Sequence, residues 1–339
     1  MVKKNINLSS LTDEQLLELK ICDLSLNING TWLAECVDEL YRELEQKNIN
    51  FRPPCYLADE WLTPDKEPLV GVPFFLADPA LIRLEKKMML EAEGSNKPWC
   101  MKLLRHEAGH AINYAYRFYR RKKWKEVFGS FNEEYAETYR FRPYSKSFVR
   151  HLENYYAQYH PDEDFSETFA VWLTPDSDWS TAYKDWKALG KLNYVDELMR
   201  EIAGRDAPVK KGKKYWHVSA IRTTLKSFYK KKQRDSAEEF PHFHDANLKE
   251  IFCEKAEADS IAAAVIIRRY RKDILENVST WTGEKKYVIG TLLKKITARC
   301  KELKLVAHES EAITMLKVST YITTLVMNYL HTGWFGGGK

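Results

Sequence analysis

Residues 101–120 read MKLLRHEAGHAINYAYRFYR. No proline interrupts them and apolar residues recur at helical spacing, so an α-helix is predicted from about Trp99 to Arg121. Within it His106 and His110 are four residues apart, 400° of rotation, and so lie on one face one turn apart. Two imidazoles placed in this way can share one Zn²⁺ through ring nitrogens at about 2.0–2.1 Å. Glu107 is rotated by about 100° from His106, so it misses such a metal and still reaches a water bound to it. Gly109 costs the helix about 1 kcal/mol relative to alanine, which implies that something packs closely against the backbone at that point.

Histidines at this spacing with the intervening Glu form the H-E-x-x-H arrangement of zinc peptidases. With nine histidines in 339 residues, a chance match arises about once in several tens of such chains, so a third ligand is needed to decide the matter. Residues 160–170, HPDEDFSETFA, supply one. Glu163 and Glu167 stand at i and i+4 on a second predicted helix. Pro161 suits its first turn, and Asp162 to Asp164 suit its positive end. The segment FNEEYAETY offers a competing pair, Glu133 and Glu137. Glu163 is preferred because Phe165, Phe169, Val171 and Trp172 follow it and can bury against the HEAGH helix, whereas Glu133 leads into the polar, proline-broken RFRPYSK.

HEAGH followed by YYAQYHPDEDFSETFAVWLTP resembles the zinc-binding metallopeptidase family of bacteria and, more distantly, the lethal-factor-type zincins and the proline–proline endopeptidases. Those families carry HExxH, then a tyrosine, then E-x-F-A-E-x-F. The resemblance implies a gluzincin-type site: His106, His110 and Glu163 as ligands, Glu167 behind a ligating histidine, and Glu107 as general base. It also implies Tyr156, seven residues before the ligating Glu, as the active-site tyrosine, with Tyr155 and Tyr159 as close competitors. Ser166 stands where alanine is usual. The likeness covers about residues 10–200 and the helical remainder more loosely. The expected chemistry is peptide hydrolysis through a zinc-bound water that Glu107 activates, with one Zn²⁺ per chain and Tyr156 donating to the developing oxyanion. Residues 70–77, VGVPFFLA, are the candidate edge strand for pairing with an extended substrate, and Pro73 marks an edge or a bulge.

Outward from this motif the chain reads as helices with one small sheet. Helices are predicted over 11–20, where Thr12 and Gln15 form a capping box, over 31–47, 78–94 and 180–203, and then over 217–234, 245–274, 284–303 and 309–331. FRPPCYLADEW and VGVPFFLA read as strands. The fold class expected is a helix-rich α+β one: a zincin-like domain with a small mixed β-sheet over 1–204, then an all-α domain over 205–339, with RDAPVKKGKK (205–214) as linker and GWFGGGK as a disordered tail.

The six cysteines are scattered singly with no C-x-x-C pair, which excludes a disulfide scaffold and a cysteine zinc ribbon and fits reduced thiols in the cytoplasm. No apolar run approaches the roughly 20 residues of a bilayer span, and no apolar stretch follows the N-terminal lysines as in a secretory signal. Net charge is +5, too mild for an overt nucleic-acid binder. Residues 205–234, however, hold eleven Lys/Arg interleaved with Tyr215, Trp216, Phe228 and Tyr229. They are read first as a solvated helix face with a linker, and second as a surface for nucleic acid or an acidic partner. His151 and His160 read as solvated or outer residues, and PHFHD (241–245) as a surface turn. The competing function is a non-enzymatic, metal-stabilised scaffold carrying that basic helical module. The intact Glu107 speaks for the enzyme, because a structural zinc site needs no carboxylate there.

Overall fold

The computed structural model describes residues 7–135, 142, 145–152, 155–235, 244–254 and 260–332. Glu137, His242 and the GWFGGGK tail lie outside them. Among the described residues there are fourteen α-helices and one two-stranded sheet, a helix-rich arrangement consistent with α+β.

The chain divides into two compact units. The first opens with α1 (Asp13–Glu18), where the Thr12 side chain and Gln15 cap each other's backbone as expected. Next comes α2 (Trp32–Gln46), which buries Leu33, Val37, Leu40 and Leu44 along one stripe. Strands β1 (Cys55–Ala58) and β2 (Val70–Pro73) follow, then α3 (Pro79–Met89), α4 (Lys97–Tyr116), α5 (Lys122–Phe128), α6 (Pro161–Leu173), α7 (Trp179–Ala182) and α8 (Ala188–Ile202). Helix α9 (Leu225–Asp235) begins in this unit. No helix among the described residues is long and apolar enough to cross a membrane.

The sheet differs from expectation in two ways. Its strands run parallel, Cys55 opposite Val70 through Ala58 opposite Pro73, and the antiparallel element of a mixed sheet is reduced to one bridge, Leu62 to Gly71. That bridge takes the far side of β2: Gly71 N–H donates to Leu62 O (2.7 Å) and Leu62 N–H donates to Gly71 O (3.3 Å). Strand β2 is buried at all four residues and paired on both sides, so 70–77 is no free edge. A Cβ on Gly71 would lie 2.4 Å from Leu62 Cδ2 and 3.0 Å from Ala58 Cβ, so a larger residue would force the Leu62 side chain to move. Pro73 ends the strand and leads into the 3₁₀ turn Phe74–Ala77.

The boundary placed at 204/205 is also corrected. Contacts of the first unit continue to Phe228, because 205–228 is laced to it by backbone and side chain. Val209 N–H donates to Ala115 O, Ile21 N–H to Thr223 O, and Leu225 N–H to Leu19 O. The helix expected over 217–234 consequently starts only at Leu225. The second unit holds α10 (His244–Ile251), α11 (Ala263–Arg269), α12 (Arg271–Thr282), α13 (Lys286–Glu302) and α14 (Glu311–Thr332) around a core that includes Phe252, Ile267, Ile274, Leu292 and Ile322. The single helix expected over 245–274 is broken, because Cys253 and Ala262 both bridge to Val306.

Helices α4 and α6 pack face to face and position the site. An added Cβ on Gly109 would stand 2.8 Å from Ser166 Cα, a backbone atom that cannot swing aside. This is the close approach that the glycine implied, and it requires a small residue at 166. Gly109→Ala is expected to lower stability by about 1–3 kcal/mol, as overpacking does despite alanine's better helix propensity. Chemical denaturation measures it, and an unchanged or raised midpoint would contradict this packing.

Candidate metal centre

Helix α4 is capped by Asn96, whose side chain accepts from Trp99 N–H, and has proline in its first turn. It carries His106 and His110 on the face turned to α6, both buried. Helix α6 starts at Pro161 and is buried from end to end, so Asp162, Glu163 and Glu167 meet α4 and Asp164 meets Lys191 of α8 rather than water. His106, His110 and Glu163 meet there and form a buried group able to hold a metal ion. The two Nε2 atoms are 3.2 Å apart, and Glu163 Oε2 is 3.1 Å from His106 Nε2 and 3.2 Å from His110 Nε2. Donors about 2.0–2.1 Å from a tetrahedral Zn²⁺ stand about 3.3–3.4 Å apart, so this nearly equilateral triangle suits such an ion.

The outer partners set the tautomers. His106 Nδ1 lies 2.8 Å from Glu167 Oε1, and His110 Nδ1 lies 2.7 Å from Asp162 Oδ2. Each carboxylate holds a proton on Nδ1, so Nε2 is the nitrogen whose lone pair a metal can take in the neutral imidazole. Glu167 is tied down in turn by the Leu152 N–H (2.8 Å). Asp162 accepts from Asn113 Nδ2 (2.7 Å) and Tyr114 Oη (2.5 Å). Three acceptors converging in a dry interface call for a positive charge between them. In the metal-free chain protons provide it. Burial opposes a charged His106, but Glu163 and Glu167 prevail and hold its pKa at about 10. His110 is held well above the ordinary histidine value by Asp162 and Glu163 against the same burial penalty. Burial alone would raise Glu163; the charge on His110 and the bonds to both imidazoles bring it below the usual carboxylate range.

No protein-family model, curated protein or solved structure matches this chain. The reading of the site therefore rests on its geometry.

Glu107 is buried, and its Oε2 has no hydrogen-bond partner among the described residues. Burial raises its pKa, while the neighbouring imidazoles work the other way. Thr63 Oγ1 donates to the Glu107 backbone carbonyl (3.1 Å), so the segment crossing beside β2 is pinned to the motif itself. Tyr156 begins the 3₁₀ turn Tyr156–Gln158 and sets its ring 5.6 Å from that of His106. Glu133 is not brought to the donors: its side chain accepts from Ser130 N–H and its carbonyl from His160 Nε2.

Two roles were missed in the sequence. Tyr135, two residues beyond Glu133, donates through Oη to Glu163 Oε1 (3.0 Å), so the competing segment contributes a phenol rather than a carboxylate. The sequence presents Asp162 only as complementing the helix dipole. The available signal was Asn113 and Tyr114, polar groups three and four residues after His110. His160 is buried: its Nδ1 accepts the Asp162 N–H as cap of α6, and its ring stacks 4.0 Å from that of Tyr135. His151 is half-buried, with Nε2 2.9 Å from Lys102 O.

Glu167→Ala and Asp162→Ala are each expected to weaken metal affinity about 10–100-fold, the usual effect of freeing a ligating imidazole from its outer carboxylate. Competition with a chromogenic chelator measures this. Affinity equal to the parent's in both variants would show that the two carboxylates do not orient the ligands.

Proposed function

We propose that this chain is a zinc-dependent metallopeptidase with a zincin-like catalytic unit, akin to the bacterial metallopeptidase family it resembles, acting on peptides or proteins. A cytoplasmic setting suits its six cysteines, none of them in a disulfide. The observation that carries the proposal is the convergence of His106 Nε2, His110 Nε2 and Glu163 Oε2, with the unpartnered Glu107 Oε2 buried one residue along the helix. A metal held by these three ligands would supply Lewis acidity to a peptide carbonyl and acidify a water in its open position.

The side chains carry the remaining steps. Glu107 Oε2, free of partners, accepts the water's proton and delivers it to the leaving nitrogen. The raised pKa of Glu107 suits that transfer, since a fully acidic carboxylate would be a weaker base. Tyr156 stays protonated because burial raises its pKa, so its phenol can donate to the oxyanion as charge develops. Tyr135 Oη is engaged by Glu163, so its part is to orient the ligand rather than to meet substrate.

Digestion of a peptide library, read by mass spectrometry with and without chelator, tests the reading. Cleavage that disappears on metal removal and returns with Zn²⁺ is expected. Tyr156→Phe should retain metal and lose about 10²–10³-fold in kcat with little change in KM, the scale of one oxyanion donor. A metal-loaded chain that cleaves nothing would instead favour the metal-stabilised scaffold.

A further inference from the structure

The sheet has a second edge, remote in the strand order from Leu62. Val70 N–H donates to Pro54 O, and the parallel register then turns the backbone groups of Tyr56 and Ala58 toward β2. Cys55 and Leu57 face the opposite way. No strand pairs on that side, and neither residue's N–H or C=O is bonded among the described residues. Leu57 is only 4% exposed, so these groups are costly to leave unmade. They border a cavity of about 380 Å³.

Besides residues 26–29, which also line it, the cavity has two unlike walls. Helix α2 forms one, with Tyr41 Oη 4.0 Å from Cys55 Sγ and with Val37 and Asp38 on the lining. The other is the segment 214–218, which carries Lys214 and Val218. Tyr56 fastens it: its Oη donates to Tyr215 O (2.9 Å) and accepts from Tyr215 N–H (3.3 Å), and its ring stacks 5.9 Å from that of His217. Lys214 is exposed on this wall, and among the described residues it lacks the carboxylate that Lys210 finds in Asp206.

A strand entering here would turn alternate side chains to the two walls. Charge complementarity asks for acidic residues toward Lys214, while Val37 offers apolar surface toward α2 and Asp38 on that wall turns acidic residues away. We propose that the outer edge of β1 binds an extended peptide segment of alternating acidic and apolar residues by strand addition. This site is separate from the metal centre and does not depend on the peptidase reading.

The test is fluorescence anisotropy with a labelled octapeptide of alternating Glu and Val and the full chain carrying Glu107→Gln, which keeps the peptide intact. Saturable binding is expected, unchanged by chelator. N-methylation at the Glu positions or at the Val positions should differ sharply: the set that faces β1 loses about tenfold or more, and the other set keeps its affinity. Lys214→Glu should weaken binding by about tenfold. Several outcomes overturn the proposal. Equal effects of both methylation patterns would mean that no strand forms. Equal affinity for octaglutamate would mean a general polyanion surface, and tighter binding of a single-stranded oligothymidylate a nucleic-acid surface. Loss of binding on chelation would place the peptide in the metal centre. Absence of binding overturns it outright. A failure of the chain to cleave peptides leaves it standing.

Discussion

Glu107→Gln is expected to remove hydrolysis while leaving the metal and the fold in place. Glutamine keeps the size and polarity of the side chain, and the Thr63 hydroxyl still finds the same backbone carbonyl. The neutral amide cannot accept a proton through an oxygen that is otherwise unpartnered. General-base assistance accounts for about 10²–10⁴ in rate, so turnover should fall by that factor. The loss should appear in kcat, because the proton moves only as the transition state forms. Metal content and the thermal midpoint, measured on the same preparation, should match the parent. Cleavage continuing at the parental rate would refute the mechanism. Loss of metal together with activity would mean that Glu107 belongs to the coordination rather than to the proton transfer.

Glu163→Gln is expected to strip the metal, whereas Glu133→Gln is not. Glu163 Oε2 is the third corner of the donor triangle and the only anionic one. Structural Zn²⁺ sites bind with about 10–16 kcal/mol across four ligands, so one ligand stands for roughly 3–4 kcal/mol, or about 10²–10³ in affinity. The amide retains the shape and a hydrogen-bonding oxygen, so the fold should survive. Among the described residues Glu133 meets only a local backbone donor through its side chain, and its removal should leave stoichiometry unchanged. The pH dependence is a second check. With the metal-free His106 pKa at about 10, binding must displace a proton at neutral pH. Apparent affinity should therefore rise with pH up to that value, about tenfold per unit for each proton released. Elemental analysis after dialysis, and isothermal titration at several pH values, measure both effects. Metal lost from Glu133→Gln alone would assign the third ligand to the wrong segment.

The sequence by itself determined what depends on angle within one helix. His106 and His110 had to share a face, Glu107 had to miss it, Gly109 announced a close neighbour, and Glu163 with Glu167 formed a second such face four residues long. The capping box at Thr12 and the short runs of apolar residues that became β1 and β2 were legible for the same local reason. Which faces meet was decided only by the tertiary structure. The contact of Gly109 with Ser166 sets the register of α4 on α6. That register alone puts Glu163 rather than Glu133 against the imidazoles, turns Asp162 from a helix-end charge into the partner of His110, and brings Tyr135 to Glu163 from a segment that spacing presented as a rival. The paired state of β2 and the attachment of 205–228 to the first unit were likewise beyond the sequence. A strand's partners and a linker's docking depend on unpaired backbone groups far along the chain finding one another, and periodicity within a segment carries no information about that.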